Sequence, residues 1–389
     1  MRIAIFTDSY YPHVSGVAKT VERYINFLEK NGHEYYLFLP AYSFKDKSTP
    51  NRRKIKGLKF ILYPEIRFSF VNYRSVKKLL DEFKPDVIQV MTEFPVGRSG
   101  IWYGKKRGIP IVTCFETNIP QYLEYYGFGL LTETSWNFYK WFHRYSDMVI
   151  TPSEITTTLL KNQQFNKVRT WERGIEFDKF NPQFRSSEVR NKYGSEDGIL
   201  FIYVGRIAIE KDLHVFIDTA KLLRKKYGEH VNFAIVGGGP LFEDFKKDSP
   251  NFITFTGFLS GENLLKIYAS ADVFLFPSPT ETLGFVILEA MASQLPVVAC
   301  FEGGVRDTLI DGYNGFACRE KNVDDFVQAS IKLIEDKNLR NELANNARQF
   351  AKSKDWDKSF KSLLDLYKEI INDKKKELPK KISRFYKYL

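Results

Sequence analysis

Two carboxylates, Glu281 and Glu289, are eight residues apart in a segment whose pattern predicts a strand, a loop and a helix. The apolar run 273–276 ends at Pro277, and residues 286–293 carry apolar side chains at helical spacing without a helix breaker. Glu281 therefore falls in the loop and Glu289 near the first turns of the helix. Carboxylates so placed can hold polyol hydroxyls, although a charge near the helix N-terminus and a solvated glutamate also explain the pair.

The start of the same helix offers unpaired backbone donors. The first N–H groups of an α-helix have no partner within the helix, and the helix dipole favours negative charge there. We therefore expect this helix start to hold phosphate or sugar oxygens. The residues concerned are Leu283, Gly284, Phe285 and Val286.

The spacing of Glu281 and Glu289 resembles the Glu-x7-Glu signature of retaining glycosyltransferases of family 4, which have the two-domain GT-B fold. The resemblance covers nearly the whole chain, because residues 1–17 look like the family's first strand and glycine loop and residues 203–211 look like its Val-Gly-Arg…Glu-Lys element. Residues 281–293 look closest to enzymes that glycosylate membrane lipids, such as sulfoquinovosyldiacylglycerol synthase and lipid mannosyltransferases.

The resemblance also implies roles for individual residues. Arg206 and Lys211 would grip the donor diphosphate. Glu289 would accept hydrogen bonds from the ribose, and Glu281 would hold hydroxyls of the transferred sugar. The family is thought to react on one face of the sugar, where the donor's own phosphate oxygen helps to deprotonate the acceptor. We see no Asp-x-Asp metal motif, so we expect fixed cations to replace a metal and no cofactor to be needed.

Three further residues are candidates in the first half of the chain. Gly16 lies between the first strand and the first helix, where a missing Cβ lets the backbone approach a phosphate, and it is equally a plain turn residue. Many family members carry a His in the loop where this chain has Glu116. Glu116 either takes over part of that role, positioning the acceptor or the sugar, or is a structural carboxylate. His13, in the Gly16 loop, is a second candidate or a loop His without a function.

These residues depend on strands that alternate with helices, in two cycles. This alternation is typical of parallel sheets covered on both faces, and ligands bind such sheets at the carboxyl ends of their strands. We therefore predict an α/β GT-B protein with two Rossmann-like, doubly wound domains facing each other across a cleft. The first cycle has predicted strands at 2–7, 34–39, 87–91, 111–115 and 148–151, and the second at 199–204, 233–236, 252–256, 273–276 and 297–299.

The same pattern predicts the domain organisation. Residues 1–180 form an acceptor-binding domain, the polar segment 181–197 is a linker, and residues 198–365 bind the nucleotide sugar. The Lys-rich residues 366–389 pack back on the first domain, anchor the protein, or are disordered. The glycine run 237–239 does not complete a Gly-x-Gly-x-x-Gly pattern, so a nicotinamide dehydrogenase is poorly supported.

The composition limits where the protein is expected to act and what it is expected to bind. The 389 residues contain 58 Lys plus Arg against 47 Asp plus Glu, and the net charge of +11 favours anionic surfaces. We see no apolar run of about 18 residues and no signal peptide, so we expect a protein of the cytoplasm. Cys114, Cys300 and Cys318 have no metal spacing and are expected to be buried, reduced thiols.

Aromatic and basic side chains are concentrated in residues 122–145, a mixture that suits the interface of a bilayer. Ordinary core and interdomain packing also explains this segment. The candidates for contact with an acceptor or a membrane are Trp136, Lys140, Trp141 and Arg144.

Three function classes follow from these features. A hexosyltransferase that acts on a lipid such as diacylglycerol or a glycolipid, at the inner face of the cell membrane, explains both the motifs and the charge. A glycosyltransferase with a soluble or polysaccharide acceptor explains only the motifs, and a nucleic-acid-binding protein explains only the charge and has no supporting motif. The first expectation for the donor is UDP-glucose and the second is GDP-mannose.

Overall fold

The computed structural model describes residues 1–11, 15–42, 48–59 and 67–386, and it describes side chains as far as residue 376 apart from those of Lys59 and Arg67. Its first domain is built on a seven-stranded parallel sheet with the strand order β3-β2-β1-β6-β7-β8-β9, and β4 and β5 form an antiparallel ribbon. The strands are β1 (Arg2–Phe6), β2 (Glu34–Pro40), β3 (Arg52–Ile55), β4 (Gly57–Lys59), β5 (Arg67–Ser69), β6 (Val87–Val90), β7 (Ile111–Cys114), β8 (Met148–Thr151) and β9 (Val168–Thr170).

Helices cover both faces of this sheet, so its central strands are buried on each side. All four residues of β6 and of β7 are buried, which explains why these strands are mostly apolar; Gln89 and Thr113 are their polar residues. The helices are α1 (Gly16–Lys30), α2 (Tyr73–Phe83), α3 (Pro95–Arg107), α4 (Ile119–Tyr125), α5 (Thr132–His143) and α6 (Glu154–Asn162).

The second domain has a six-stranded parallel sheet with the order β12-β11-β10-β13-β14-β15. Its strands are β10 (Ile199–Val204), β11 (Val231–Val236), β12 (Ile253–Gly257), β13 (Val273–Phe276), β14 (Val297–Cys300) and β15 (Gly315–Cys318). The remaining helices are α7 (Ser187–Tyr193), α8 (Leu213–Tyr227), α9 (Phe242–Asp248), α10 (Gly261–Ser270), α11 (Phe285–Ala292), α12 (Val323–Glu335), α13 (Lys337–Lys352) and α14 (Trp356–Tyr386).

The segment predicted as a linker, 181–197, packs against the second domain. The Arg190 side chain in α7 is buried, where it pairs with Asp272 and donates to the Ser270 carbonyl at 3.1 Å. The chain instead crosses between the domains near Gly174, next to its return crossing, because the Ile175 N–H donates to the Lys354 carbonyl at 2.9 Å. The polar segment 181–197, with its Pro and Gly residues, is therefore fixed to the second domain by the Arg190–Asp272 ion pair.

The long helix α14 returns the chain to the first domain. Its Phe360 and Leu363 belong to the core beneath α1, and the Tyr367 hydroxyl lies 3.3 Å from that of Tyr24. Farther along, the Lys374 ammonium lies 2.6 Å from Asp147. The helix begins at Trp356, so the expected boundary between 365 and 366 falls inside it. In the parts of the chain that the structure describes, no helix is long and apolar enough to cross a bilayer.

Candidate active site

The loop that carries Glu281 is held by a glycine pair from the next strand connection. The loop follows β13 and ends at Gly284, which adopts a left-handed φ of +81° before α11. The Gly304 N–H donates to the Glu281 carbonyl at 2.6 Å, and a Cβ on Gly303 would lie only 2.3 Å from the same oxygen. Only glycine permits this close approach, so Gly303 fixes the position of the loop.

Glu281 forms an ion pair with Lys211, which lies in a 3-10 turn (Ile209–Lys211) after β10. The Lys211 Nζ is 2.6 Å from Glu281 Oε1 and 3.4 Å from Thr280 Oγ1, and both charged side chains are largely buried. Burial works against the ammonium, but the negative charge of Glu281 more than offsets it, so the pKa of Lys211 is raised. Lys211 is therefore charged at neutral pH and lies beside the residue proposed to hold the sugar.

Glu289 is buried near the start of α11, and both of its carboxylate oxygens have partners. Tyr268 of α10 donates its hydroxyl to Glu289 Oε2 at 3.1 Å. Lys19 of α1, in the other domain, places its Nζ 3.2 Å from Glu289 Oε1. The side chain of Glu289 is only 4% exposed, which excludes the solvated glutamate that the sequence left open.

The N-termini of two helices meet between the domains. Helix α1 begins at Gly16 with Ser15 as its N-cap, and a Cβ on Gly16 would lie 3.2 Å from the ring of Phe285, the first residue of α11. Leu283 is buried beside it, together with Gly284, while Phe285 and Val286 are partly exposed. The first turns of α1 and α11 therefore lie side by side, where unpaired N–H groups of both helices favour an anion. His13 lies outside the described residues.

Arg206 and Glu210 of the second domain lie close to Tyr122 and Tyr126 of the first. Burial raises the pKa of Tyr122 and of Tyr126, and the positive charge of Arg206 offsets part of that rise, so Arg206 lies near both hydroxyls. Glu210, left open in the sequence as an orienting partner or a solvated charge, is buried and accepts the Tyr126 hydroxyl at 2.9 Å. Helix α4 and the residue after it thus contact the second domain directly.

The side chain of Glu116 is largely buried, and it has a different partner from the backbone carbonyl. Its carboxylate pairs with the fully buried Arg173, whose guanidinium lies 3.6 Å from the centre of the Trp171 ring. Its backbone carbonyl accepts the Thr282 hydroxyl at 2.9 Å, next to Glu281. The geometry therefore favours the structural interpretation of Glu116, because its carboxylate is already committed to Arg173.

We found no group of three or more His, Cys, Asp or Glu side chains arranged to hold a metal ion among the described residues. An Asp-x-Asp spacing does occur at the start of α14, at Asp355 and Asp357. Asp355 caps that helix by accepting the Lys358 N–H at 2.7 Å, and Asp357 lies 3.8 Å from the exposed Lys30. The three cysteines are free and buried.

The aromatic segment divides into an inner and an outer part. Trp136 is stacked on the buried Phe115, with 6.1 Å between the ring centres, and Lys140 is half-buried. Trp136 therefore takes part in core packing, which was the alternative that its sequence left open.

The outer part forms a continuous chain of cations over aromatic rings on α3 and α5, which we call the basic-aromatic face. Its members are Arg98, Lys105, Trp141, Arg144 and Tyr145. The guanidinium of Arg98 lies 4.9 Å from the Trp141 ring centre and that of Arg144 lies 5.5 Å from it. The Tyr145 ring centre is 4.5 Å from Arg144 and 3.6 Å from the Lys105 ammonium.

Two family descriptions together cover most of the chain. Residues 14–179 match Glycosyltransferase Family 4, and residues 186–350 match Glycosyl transferases group 1. Sulfoquinovosyl transferase SQD2 of Arabidopsis thaliana is 32% identical over 367 residues, which cover 91% of this chain and 71% of that protein. The chain belongs to the family 4 glycosyltransferases.

Other similar proteins agree with this assignment. Alpha-monoglucosyldiacylglycerol synthase of Streptococcus pneumoniae is 31% identical over 77% of this chain and 71% of its own length. GDP-mannose-dependent alpha-mannosyltransferase of Corynebacterium glutamicum is 27% identical over 95% of this chain and 89% of its own. The structure of Anabaena Alr3699/HepE in complex with UDP matches with a TM-score of 0.74 at 17% identity and covers 95% of this chain and 99% of that one. The predicted family and the GT-B fold are confirmed, and this glycosyltransferase resembles enzymes of lipid glycosylation.

Proposed function

We propose that this glycosyltransferase moves glucose from UDP-glucose to a diacylglycerol or glycolipid acceptor, with retention of configuration and without a metal ion. The observation that carries this proposal is the Lys211–Glu281 ion pair beside the N-terminus of α11, facing Gly16 of the other domain. This arrangement offers cations and backbone donors to a diphosphate next to a carboxylate that can hold a sugar.

The donor side of the proposal rests on charge. A departing nucleoside diphosphate gains negative charge in the transition state, and preorganised cations stabilise it most strongly in a site shielded from water. Lys211 is charged and largely buried, and Arg206 lies near it at the same strand end. These two cations supply the positive charge that the metal-free mechanism requires at the departing diphosphate.

The retaining mechanism is supported by the ion pairs and hydrogen bonds of the nearby carboxylates. Glu281 is paired with Lys211, Glu116 with Arg173, and Glu289 with Tyr268 and Lys19. None of the three is left as a free base, so proton removal from the acceptor falls to an oxygen of the donor phosphate. The new bond then forms on the face from which the nucleotide leaves.

The lipid acceptor is supported by exposed apolar side chains beside the cleft. Phe128, Leu130 and Leu131 are 52%, 99% and 50% exposed. They directly follow Tyr126, whose hydroxyl contacts Glu210 of the second domain, so they lie close to where the domains meet. Burial of such side chains among acyl chains would be favourable, since apolar surface gains about 25 cal/mol per Å² when it leaves water.

The basic-aromatic face gives the same domain a surface suited to anionic lipids. Cations stacked on Trp and Tyr match the chemistry of the headgroup region, where near-surface cations each contribute about 1 kcal/mol at an anionic bilayer. We propose peripheral binding to the cytoplasmic face of the membrane through this surface. The site candidates Trp141 and Arg144 belong to it, whereas Trp136 does not.

A transfer assay tests the proposal. Purified protein is incubated with UDP-glucose or GDP-mannose, each with vesicles that contain diacylglycerol, and lipid products are separated and identified. We expect a glucosyl lipid from UDP-glucose, with the α-linkage of the donor kept. If mannose alone is transferred, GDP-mannose replaces UDP-glucose as the proposed donor, in line with the 27% identity to the GDP-mannose-dependent mannosyltransferase. Nucleotide-sugar turnover that requires a soluble sugar instead of lipid would overturn the acceptor.

A further inference from the structure

We infer that Lys19 competes with the ribose of a nucleoside diphosphate for Glu289 and is displaced when the nucleotide binds. This inference rests on the proposed function, because it takes Glu289 to be the residue that accepts the ribose hydroxyls. It concerns a residue outside the motifs that define the family resemblance. Its basis is the contact of Lys19 Nζ with Glu289 Oε1 at 3.2 Å.

The two oxygens of Glu289 have different partners. Oε2 is held by Tyr268, a fully buried residue of the same domain, so this contact supports the carboxylate from behind. Oε1 meets Lys19, which belongs to the opposite domain and therefore approaches from the side of the cleft. A ribose that enters between the domains needs the same oxygen, so the two partners compete.

Lys19 is able to leave, whereas Glu289 is not. The Lys19 side chain is 29% exposed and ends in a flexible stem, while the Glu289 side chain is 4% exposed near the start of a helix packed into the core. A partly exposed ion pair contributes little net free energy, so neutral ribose hydroxyls that also satisfy the carboxylate can replace it. Lys19 thus gives the buried Glu289 carboxylate a cationic partner until a ribose replaces it.

The Lys19–Glu289 pair should therefore weaken nucleotide binding. Each binding event must break the Lys19–Glu289 pair before the ribose reaches Glu289 Oε1. Lys19→Met should therefore tighten the binding of the preferred nucleotide, UDP or GDP, by about threefold to tenfold, as expected for the loss of a part-exposed ion pair. Lys19→Gln, which retains a donor for Glu289, should give an intermediate affinity and serves as a second variant if Lys19→Met folds poorly.

Isothermal titration calorimetry with UDP and with GDP measures the effect. Lys30→Met is the matched control, since Lys30 lies on the same helix but is 75% exposed and pairs with the exposed Asp357. In a Glu289→Gln background, Lys19→Met should change nothing. Weaker binding by Lys19→Met would overturn the inference and make Lys19 a ligand of the nucleotide. Unchanged affinity would also overturn it while leaving the proposed function intact, whereas absence of UDP and GDP binding in wild-type and Lys19→Met protein alike would overturn both.

Discussion

The two glutamates of the motif have different surroundings although only seven residues separate them. Glu281 is paired with a cation of its own domain, and Glu289 bridges a tyrosine of its own domain and a lysine of the other. A carboxylate beside a charged Lys211 is suited to orient sugar hydroxyls near the leaving phosphate. A carboxylate buried in the second turn of α11 is suited to neutral hydroxyl donors such as those of ribose.

We therefore expect Glu281→Gln and Glu289→Ala to lose activity in different ways. Glu281→Gln should lower turnover and leave binding of the nucleoside diphosphate nearly intact, because the proposed contact is to the sugar. Glu289→Ala should weaken the nucleotide itself. Calorimetry with UDP and GDP separates the two effects, and an equal loss of affinity in both variants would contradict these roles.

Lys211 allows a test of the metal-free mechanism. Its ammonium is held charged by Glu281 in a buried site, so it can stabilise the departing diphosphate. Lys211→Ala should lower turnover by roughly 10²-fold or more, the size of effect seen when one preorganised donor to a developing charge is removed. Transfer by the wild-type protein should persist in excess chelator. A strict requirement for magnesium in the product assay would refute this mechanism.

At the scale of single residues, the sequence identified the site residues that belong to the family motif. It did not identify the residues that are brought to the site only by the fold. Glu281, Glu289 and Lys211 could be named because their spacing is local. Lys19 and Tyr268 could not, since neither is part of a motif and their contact with Glu289 depends on how distant segments meet. The only signal for Lys19 was a cation one turn after Gly16.

Among the elements, the buried runs were the most predictable. Strands such as β10 and β13 are continuous apolar segments and lie where the sequence places them. The short strands β3 and β9 are only partly buried, so hydrophobic pattern gave no signal for them. The packing of residues 181–197 on the second domain was not predictable, because an Arg in a polar segment looks exposed and the partner of Arg190, Asp272, is distant in sequence.

The double crossing between the domains depends on Gly174. A Cβ at this position would lie 2.4 Å from the backbone nitrogen of Trp356. Gly174→Ala should therefore force the two crossings apart and lower the free energy of unfolding by about 1–3 kcal/mol, as overpacking does. Denaturant unfolding monitored by tryptophan fluorescence measures the change. Gly129→Ala is the control, since nothing lies within 4 Å of its added methyl group, and equal stability of the two variants would contradict the crowding at the crossing.

Asp8 follows β1 and accepts hydrogen bonds from the first turn of α3, and its titration should make the stability of the fold depend on pH. Burial raises the pKa of Asp8 to about 7, and hydrogen bonds from Val96, Gly97 and Thr92 offset part of that rise. Because the folded state keeps its proton to higher pH than the unfolded state, Asp8 stabilises the fold below about pH 4, and this contribution is lost as pH rises to about 7. The difference between this pKa and that of an ordinary carboxyl group corresponds to at most about 4 kcal/mol of unfolding free energy.

Asp8→Asn removes this titration while keeping the shape of the side chain. The difference in unfolding free energy between wild-type and Asp8→Asn protein should fall steadily from about pH 4 to pH 7, whatever constant cost the amide introduces. Urea unfolding across that range provides the measurement. Parallel stability profiles for the two proteins would show that Asp8 does not titrate in this window.

On the scale of the whole molecule, the GT-B arrangement followed from the sequence, while the contacts between its two halves did not. Alternating strands and helices predict two parallel sheets, and a family motif predicts where their ends face. The contacts from Tyr126 to Glu210 and from Thr282 to Glu116 join side chains far apart in the chain, so no local pattern reports them. The basic-aromatic face likewise combines α3 and α5, and residues 122–145 contain only the second of these helices.

The proposed membrane surface leads to the last prediction. Wild-type protein should pellet with anionic vesicles at low salt and less at high salt, because exposed cations lose attraction as ionic strength rises. Combined Arg98→Glu and Arg144→Glu should reduce the bound fraction by at least about tenfold, since each reversed cation removes roughly 1 kcal/mol and adds repulsion. Combined Lys246→Glu and Lys247→Glu, on exposed positions of α9 in the second domain, changes the net charge equally and should have little effect. Truncation after Lys376 tests the Lys-rich end while retaining the Lys374–Asp147 contact. Wild-type protein that stays in the supernatant at low salt would contradict membrane binding and favour a soluble acceptor.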